Sequence, residues 1–110
     1  MSRIFAISAS GKTEKSFLDL RFGKCENTAI YNSATGQLNF FENPFKDTDY
    51  SGVKLIEFLK EKGVSVIITG EVGPTVNKLL EEKQLQLVLL DEEKIKIEDI
   101  IARISSSKPI

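Results

Sequence analysis

The sequence contains no histidine and no tryptophan, and only one cysteine and three prolines among 110 residues. Without histidine, the commonest general base and the commonest nitrogen ligand for metals are both missing. The lone cysteine, Cys25, has no partner for an internal disulfide, which fits a reducing compartment. Fifteen basic and sixteen acidic side chains leave a net charge of −1, so no general positive field gathers nucleic-acid phosphates or an anionic bilayer. The longest apolar run, Val64 to Thr69 with Ser65 inside it, falls far short of the roughly 20 residues of a membrane-spanning helix. Met1-Ser2-Arg3 leads straight into a strand-like run, without the roughly ten-residue apolar core of a signal peptide. The expectations are a cytoplasmic protein with neither nucleic acid nor membrane as partner.

What remains is ordinary for a globular chain: 41% of residues are hydrophobic and 28% charged. At this length one hydrophobic core, spanning residues 1–110 with fraying at 105–110, is expected. The period of the apolar residues switches along the chain and marks the elements. Arg3 to Ser8 reads as a strand, followed by a long polar loop to about Glu26. Residues 28–32 and 37–41 flank Ser33-Ala34-Thr35-Gly36, a hairpin in which Gly36 supplies a positive φ. A helix is expected at 52–62, capped by Asp49 or Ser51, with Val53, Ile56 and Leu59 on its apolar face and Gly63 ending it. The β-branched run 64–69 is a central strand buried on both faces. Gly73-Pro74 opens a second helix, 85–89 forms a fifth strand, and Ile97, Ile100, Ile101 and Ile104 place a third helix near 97–105.

Strand-helix-strand units favour parallel crossovers, while the hairpin adds antiparallel pairing. The expected sheet is mixed and five-stranded, in the order 3-2-1-4-5, with helices on both faces. Strands one and four then become parallel neighbours whose connections leave in opposite directions, and ligands bind at such switch points. The loop after strand one, the segment Asn43–Ser51 and the loop Gly70–Pro74 should meet there, beside two helix amino ends that favour an anion.

Known catalytic patterns fail on inspection. Ser10-Gly11-Lys12-Thr13 resembles the end of a phosphate-binding P-loop, but the required earlier glycine is Ala6, inside a strand. Strand one carries no carboxylate with which to begin a two-metal nuclease site, and no Gly-x-Ser-x-Gly elbow is present. The sequence therefore reads as a binding or carrier domain rather than a conventional enzyme.

Leu20-Arg21-Phe22-Gly23-Lys24, Ile30-Tyr31 before Thr35-Gly36, Glu42-Asn43-Pro44, and the stretch Lys62 to Pro74 follow one another in a particular register. In that order and spacing the chain resembles the dinitrogenase iron-molybdenum cofactor biosynthesis family, the nitrogenase accessory factor-like proteins, over about residues 3–104. The resemblance implies a three-layer α/β/α ribonuclease H-like fold and non-catalytic binding or transfer of iron-sulfur or iron-molybdenum cofactor precursors. It places Arg21, Phe22 and Gly23 in the motif after strand one, and Gly70, Glu71, Gly73 and Pro74 in the motif after the central strand, all as candidate cofactor-binding residues.

Cys25 is the candidate metal ligand, with Lys24 and Arg21 near enough in sequence to favour thiolate and with Glu71, Asp19, a second subunit or ligands already on the cofactor completing the set. It equally reads as a small residue filling space near strand two. Lys12, Lys15, Arg21 and Lys24 outnumber Glu14 and Asp19 in the first loop, giving either local attraction for an anion or simply a solvated loop in which Arg21 pairs with Asp19 or Glu71. Two functions follow. One is a carrier of a metal-sulfur cofactor precursor with a cofactor-biosynthesis protein as partner; the other is a metal-independent regulatory or interaction domain that binds a small anion or a protein.

Overall fold

The computed structural model describes residues 3–92 and 94–106. In chain order its elements are β1 (Ile4–Ala9), β2 (Asn27–Asn32), β3 (Leu38–Glu42), α1 (Ser51–Glu61), β4 (Val66–Thr69), α2 (Pro74–Glu82), β5 (Gln86–Leu89) and α3 (Ile97–Ser106). The strands form one sheet in the order β3-β2-β1-β4-β5. β1 pairs antiparallel with β2 and parallel with β4, so Ala6 faces Ile30 on one side and Ile67 on the other. β2–β3 is antiparallel and β4–β5 parallel.

Alternation along the strands divides the core into two layers. Phe5, Ile7 and Ala9 of β1 join Ala29, Tyr31, Val66 and Ile68 beneath Ile97 and Ile100 of α3. Ala6, Ile30 and Ile67 face the other way, against Leu55, Ile56 and Leu59 of α1 and Leu80 of α2. All four residues of β4 are buried, as its continuous β-branched run requires. The result is the expected three-layer α/β/α arrangement.

Local signals operate where the backbone needs them. Gly36 in the hairpin has φ 76° and Gly63 beyond α1 has φ 81°, both in the left-handed region that favours glycine. The start of α1 differs from the expectation: its N-cap is Tyr50 with φ 58° and ψ 35°, and no side chain caps the helix. Neither Asp49 nor Ser51 takes that role, because the left-handed turn at Tyr50 already redirects the chain into the helix. At the other end of the chain, α3 runs through Ser105 and Ser106, and Tyr31 Oη lies 3.1 Å from Ser105 Oγ. The fraying expected at 105–110 thus does not begin at Ser105, and its remaining part, 107–110, lies outside the described residues.

The polar loop after β1 is tied to its surroundings. Isolated bridges join Ala9 with Leu18, Phe17 with Lys96 and Arg21 with Glu71. The Leu18 amide donates to Ile95 O at 2.9 Å and the Ile97 amide to Ser16 O at 2.8 Å. This loop therefore lies folded across the carboxyl edge of the sheet.

Candidate functional site

The segment carrying Arg21 is held by buried hydroxyls at the ends of β1 and β4. Ser8 Oγ donates to Asp19 O at 2.5 Å, which uses its one proton, so Thr69 donates to Ser8 across 2.7 Å. Both side chains are buried, and the Asp19 amide returns a bond to Ser8 O at 2.9 Å. Asp19 Oδ1 in turn accepts from the Arg21 amide at 3.0 Å and from Arg21 Nε at 3.4 Å. Gly70 makes this crossing possible: a Cβ there would lie 2.6 Å from Leu20 Cα, so any other residue would push the loop off β4.

Beyond Arg21, Phe22 is buried in the α1 layer and anchors the loop. Gly23 then passes against the start of α1, where a Cβ would stand 2.7 Å from the Gly52 amide nitrogen. The buried Asn43 fixes the same turn: its Nδ2 donates to Gly23 O and Cys25 O, both at 3.0 Å, and its Oδ1 accepts from the Phe45 amide at 3.0 Å. Arg21, Phe22, Gly23, Glu71 and Gly73, joined by Lys24, Ser51, Gly52, Val72 and Val76, line an open cleft of about 520 Å³. The three chain segments expected at the switch point thus converge there.

Two helix starts border this cleft, at Ser51-Gly52 and at Gly73. Neither α1 nor α2 has a side-chain cap or an acidic residue in its first turn. The first amides of a helix have no intrahelical acceptor and together carry partial positive charge, so an anion meeting them gains both hydrogen bonds and about 0.3–1 kcal/mol of dipole interaction per helix. Arg21 adds a guanidinium that is more than half exposed, and its hydrogen bond with Asp19, then the Asp19 charge, raises its pKa.

The excess positive charge expected of the first loop is largely compensated. Lys12 pairs with Glu42 at 3.0 Å, Lys15 with Glu98 at 3.0 Å and Arg21 with Asp19, while Lys24 donates to Thr48 O at 3.3 Å. With Glu71 also on the rim, the formal charges near the cleft nearly cancel. Any attraction for an anion would therefore have to come from short-range donors rather than from a long-range field.

The remaining expected residues lie differently. Gly70 sits beneath Leu20 and acts through the backbone, and Pro74 begins α2 at its first turn. Cys25 is fully buried, with Thr28 Oγ1 4.0 Å and Asn43 Nδ2 3.7 Å from its sulfur. Burial raises its pKa from 9.0 to about 11, outweighing the hydrogen bonds from Thr28 and Asn43 that act the other way. The expectation that Lys24 and Arg21 favour thiolate is thus reversed by desolvation, and the position fits the space-filling reading. Among the described residues no group of three His, Cys, Asp or Glu side chains could hold a metal ion. Ser8 and Thr69 were missed as site-building residues, and Asn43 was expected there only as the first residue of the 43–51 segment.

No helix among the described residues is long and apolar enough to cross a membrane. The profile of the family described as Dinitrogenase iron-molybdenum cofactor matches residues 3–107. No curated protein matches the chain. Among solved structures, the apo form of the orange protein (ORP) from Desulfovibrio gigas is similar with a TM-score of 0.85 and 22% identity, over 93% of this chain and 86% of that one. The NMR structure of a candidate NifB protein from Thermotoga is similar with a TM-score of 0.79 and 26% identity, over 94% of this chain and 87% of that one. The same three-layer fold is therefore shared across these proteins.

Proposed function

The chain belongs to the dinitrogenase iron-molybdenum cofactor family, and from that membership and the geometry of the cleft we propose that it is a non-catalytic carrier of a small anionic metal-sulfur cofactor or its precursor. The observation that carries this reading is the convergence of Arg21 and two helix starts without side-chain caps on one open cleft. A coordination sphere made by the protein does not fit the described residues, which bring no three metal-binding side chains together. The cargo would instead arrive with its own sulfur ligands, and the protein would hold its outer atoms through Arg21, Lys24 and the backbone amides at Ser51-Gly52 and beyond Gly73. In this reading Phe22, Gly23, Gly70, Glu71 and Pro74 shape and hold the cleft, and Cys25 is structural.

The same donors suit a metal-free oxyanion, and the lack of a metal-binding trio favours testing that second reading alongside the first. Anaerobic titration with tetrathiomolybdate, and separately with iron and sulfide, would be followed by absorption spectroscopy and metal counting after gel filtration. Molybdate and phosphate serve as sulfur-free anions. Retained metal in the wild type and in Cys25→Ala, with weaker retention in Arg21→Gln, is the expected result. If only phosphate or molybdate binds, the carrier reading gives way to the oxyanion one; if no anion is retained, both fall.

A further inference from the structure

The two faces of the sheet are covered unequally. α1 and α2 pack on one face, while α3 alone serves the other. The last turn of α3 is tied to β2, where Tyr31 Oη and Ser105 Oγ lie 3.1 Å apart. Toward the opposite edge of the sheet Val88 and Leu90 stay half-buried, and a groove of about 260 Å³ opens between them and Ile68, Ile100 and Ile104. It shares no lining residue with the cleft around Arg21.

The groove follows β5. Alternate residues Gln86, Val88 and Leu90 all line it, so its floor runs about 13 Å at roughly 3.3 Å per residue, long enough for an extended medium-length alkyl chain. Its charge is confined to the side chains of Arg3 and Arg103. Arg103 is engaged by Glu92, at 2.7 and 3.0 Å. Arg3 has neutral partners instead: Nη1 donates to Gln86 Oε1 at 3.1 Å, and the guanidinium lies 5.1 Å from the centre of the Phe5 ring. Among the described residues no carboxylate forms an ion pair with Arg3.

An apolar trough that ends at a cation without a counter-charge is complementary to an amphipathic anion. The groove is slightly smaller than the roughly 300 Å³ from which small-molecule sites begin, which selects a slender ligand over a protein segment. We propose that this groove is a binding site, separate from the cleft around Arg21, for a medium-chain aliphatic carboxylate. The tail lies along β5 against Val88 and Leu90, and the head group meets Arg3.

Methyl NMR titrations with butyrate, hexanoate and octanoate test this. Resonances of Val88, Leu90 and Ile104 should shift, while those of Val72 and Val76 in the other cleft stay in place. Affinity should rise by up to about fourfold per added methylene. Octanol, which has the tail without the charge, should bind roughly tenfold or more weakly than octanoate. Arg3→Gln should lose a similar factor for octanoate and melt close to the wild-type temperature, because Arg3 is exposed. Val88→Phe, which fills the groove, should bind no octanoate. The proposal is overturned if the wild type fails to bind octanoate, if octanol binds as tightly, if Arg3→Gln or a folded Val88→Phe keeps wild-type affinity, or if the shifts fall outside the groove. None of these outcomes touches the carrier reading, whose probe is tetrathiomolybdate.

Discussion

The thiol of Cys25 separates sequence proximity from electrostatic environment. Lys24 and Arg21 neighbour it along the chain, yet the sulfur points into the α1 layer while Arg21 stands at the surface. Burial therefore dominates and lifts the pKa to about 11. The folded value lies above the ordinary value of 9.0, so the protonated thiol's contribution to stability is fully present below pH 9.0 and is lost as pH rises toward about 11. Wild-type protein should lose its stability advantage over Cys25→Ala across that interval, as read from paired urea melts. At neutral pH the folded protein should react with iodoacetamide only as fast as it opens, so alkylation should accelerate with urea. Rapid modification of the native protein at pH 7 would instead reveal an accessible thiolate and contradict this account.

At the scale of elements, the amino end of α1 carries measurable strain. Tyr50 holds a left-handed conformation that costs a non-glycine residue about 1–2 kcal/mol, and the residue is 79% exposed, so little packing offsets that cost. Tyr50→Gly removes the strain and adds unfolded-state entropy worth roughly 0.5–1 kcal/mol; a net gain of up to about 1 kcal/mol is expected in urea denaturation, and a loss would mean the ring makes a stabilising contact. The β-branched run of β4, the hairpin around Gly36 and the isoleucine spacing of α3 were legible because each is a local period or punctuation mark. From them followed the strand order, and from the strand order the meeting of Arg21, Gly23, Glu71 and Gly73. The cap at Tyr50 was not legible, since a bulky aromatic seldom adopts that backbone. The roles of Ser8, Thr69 and Asn43 were also hidden, because a buried hydroxyl or amide looks like a surface residue until its distant partner is known. The three isolated bridges that fold the first loop over the sheet leave no periodic trace at all.

At the scale of the whole molecule, the question is whether the proposed cargo would be needed by the fold or would only visit it. The described residues have a radius of gyration of 12.7 Å, close to the roughly 13 Å of a compact chain this long. Two apolar layers, each containing fully buried aliphatic side chains such as Ile7, Ile97, Leu55 and Ile67, supply the core without any metal. Metal-dependent small domains behave otherwise, because their binding energy is their folding energy. A chelator should therefore leave the unfolding temperature of the protein as purified unchanged. Added tetrathiomolybdate should raise it by mass action, by about 2.7 kcal/mol of stability at a hundredfold excess over the dissociation constant. Because formal charges around the cleft nearly cancel, this gain should change little between low and moderate salt, unlike an interaction driven by a broad positive field. Differential scanning calorimetry at several salt concentrations reads all three effects. A fall in unfolding temperature with chelator would make the metal structural, and a steep salt dependence would place the anion on the exposed lysines instead of at the helix starts.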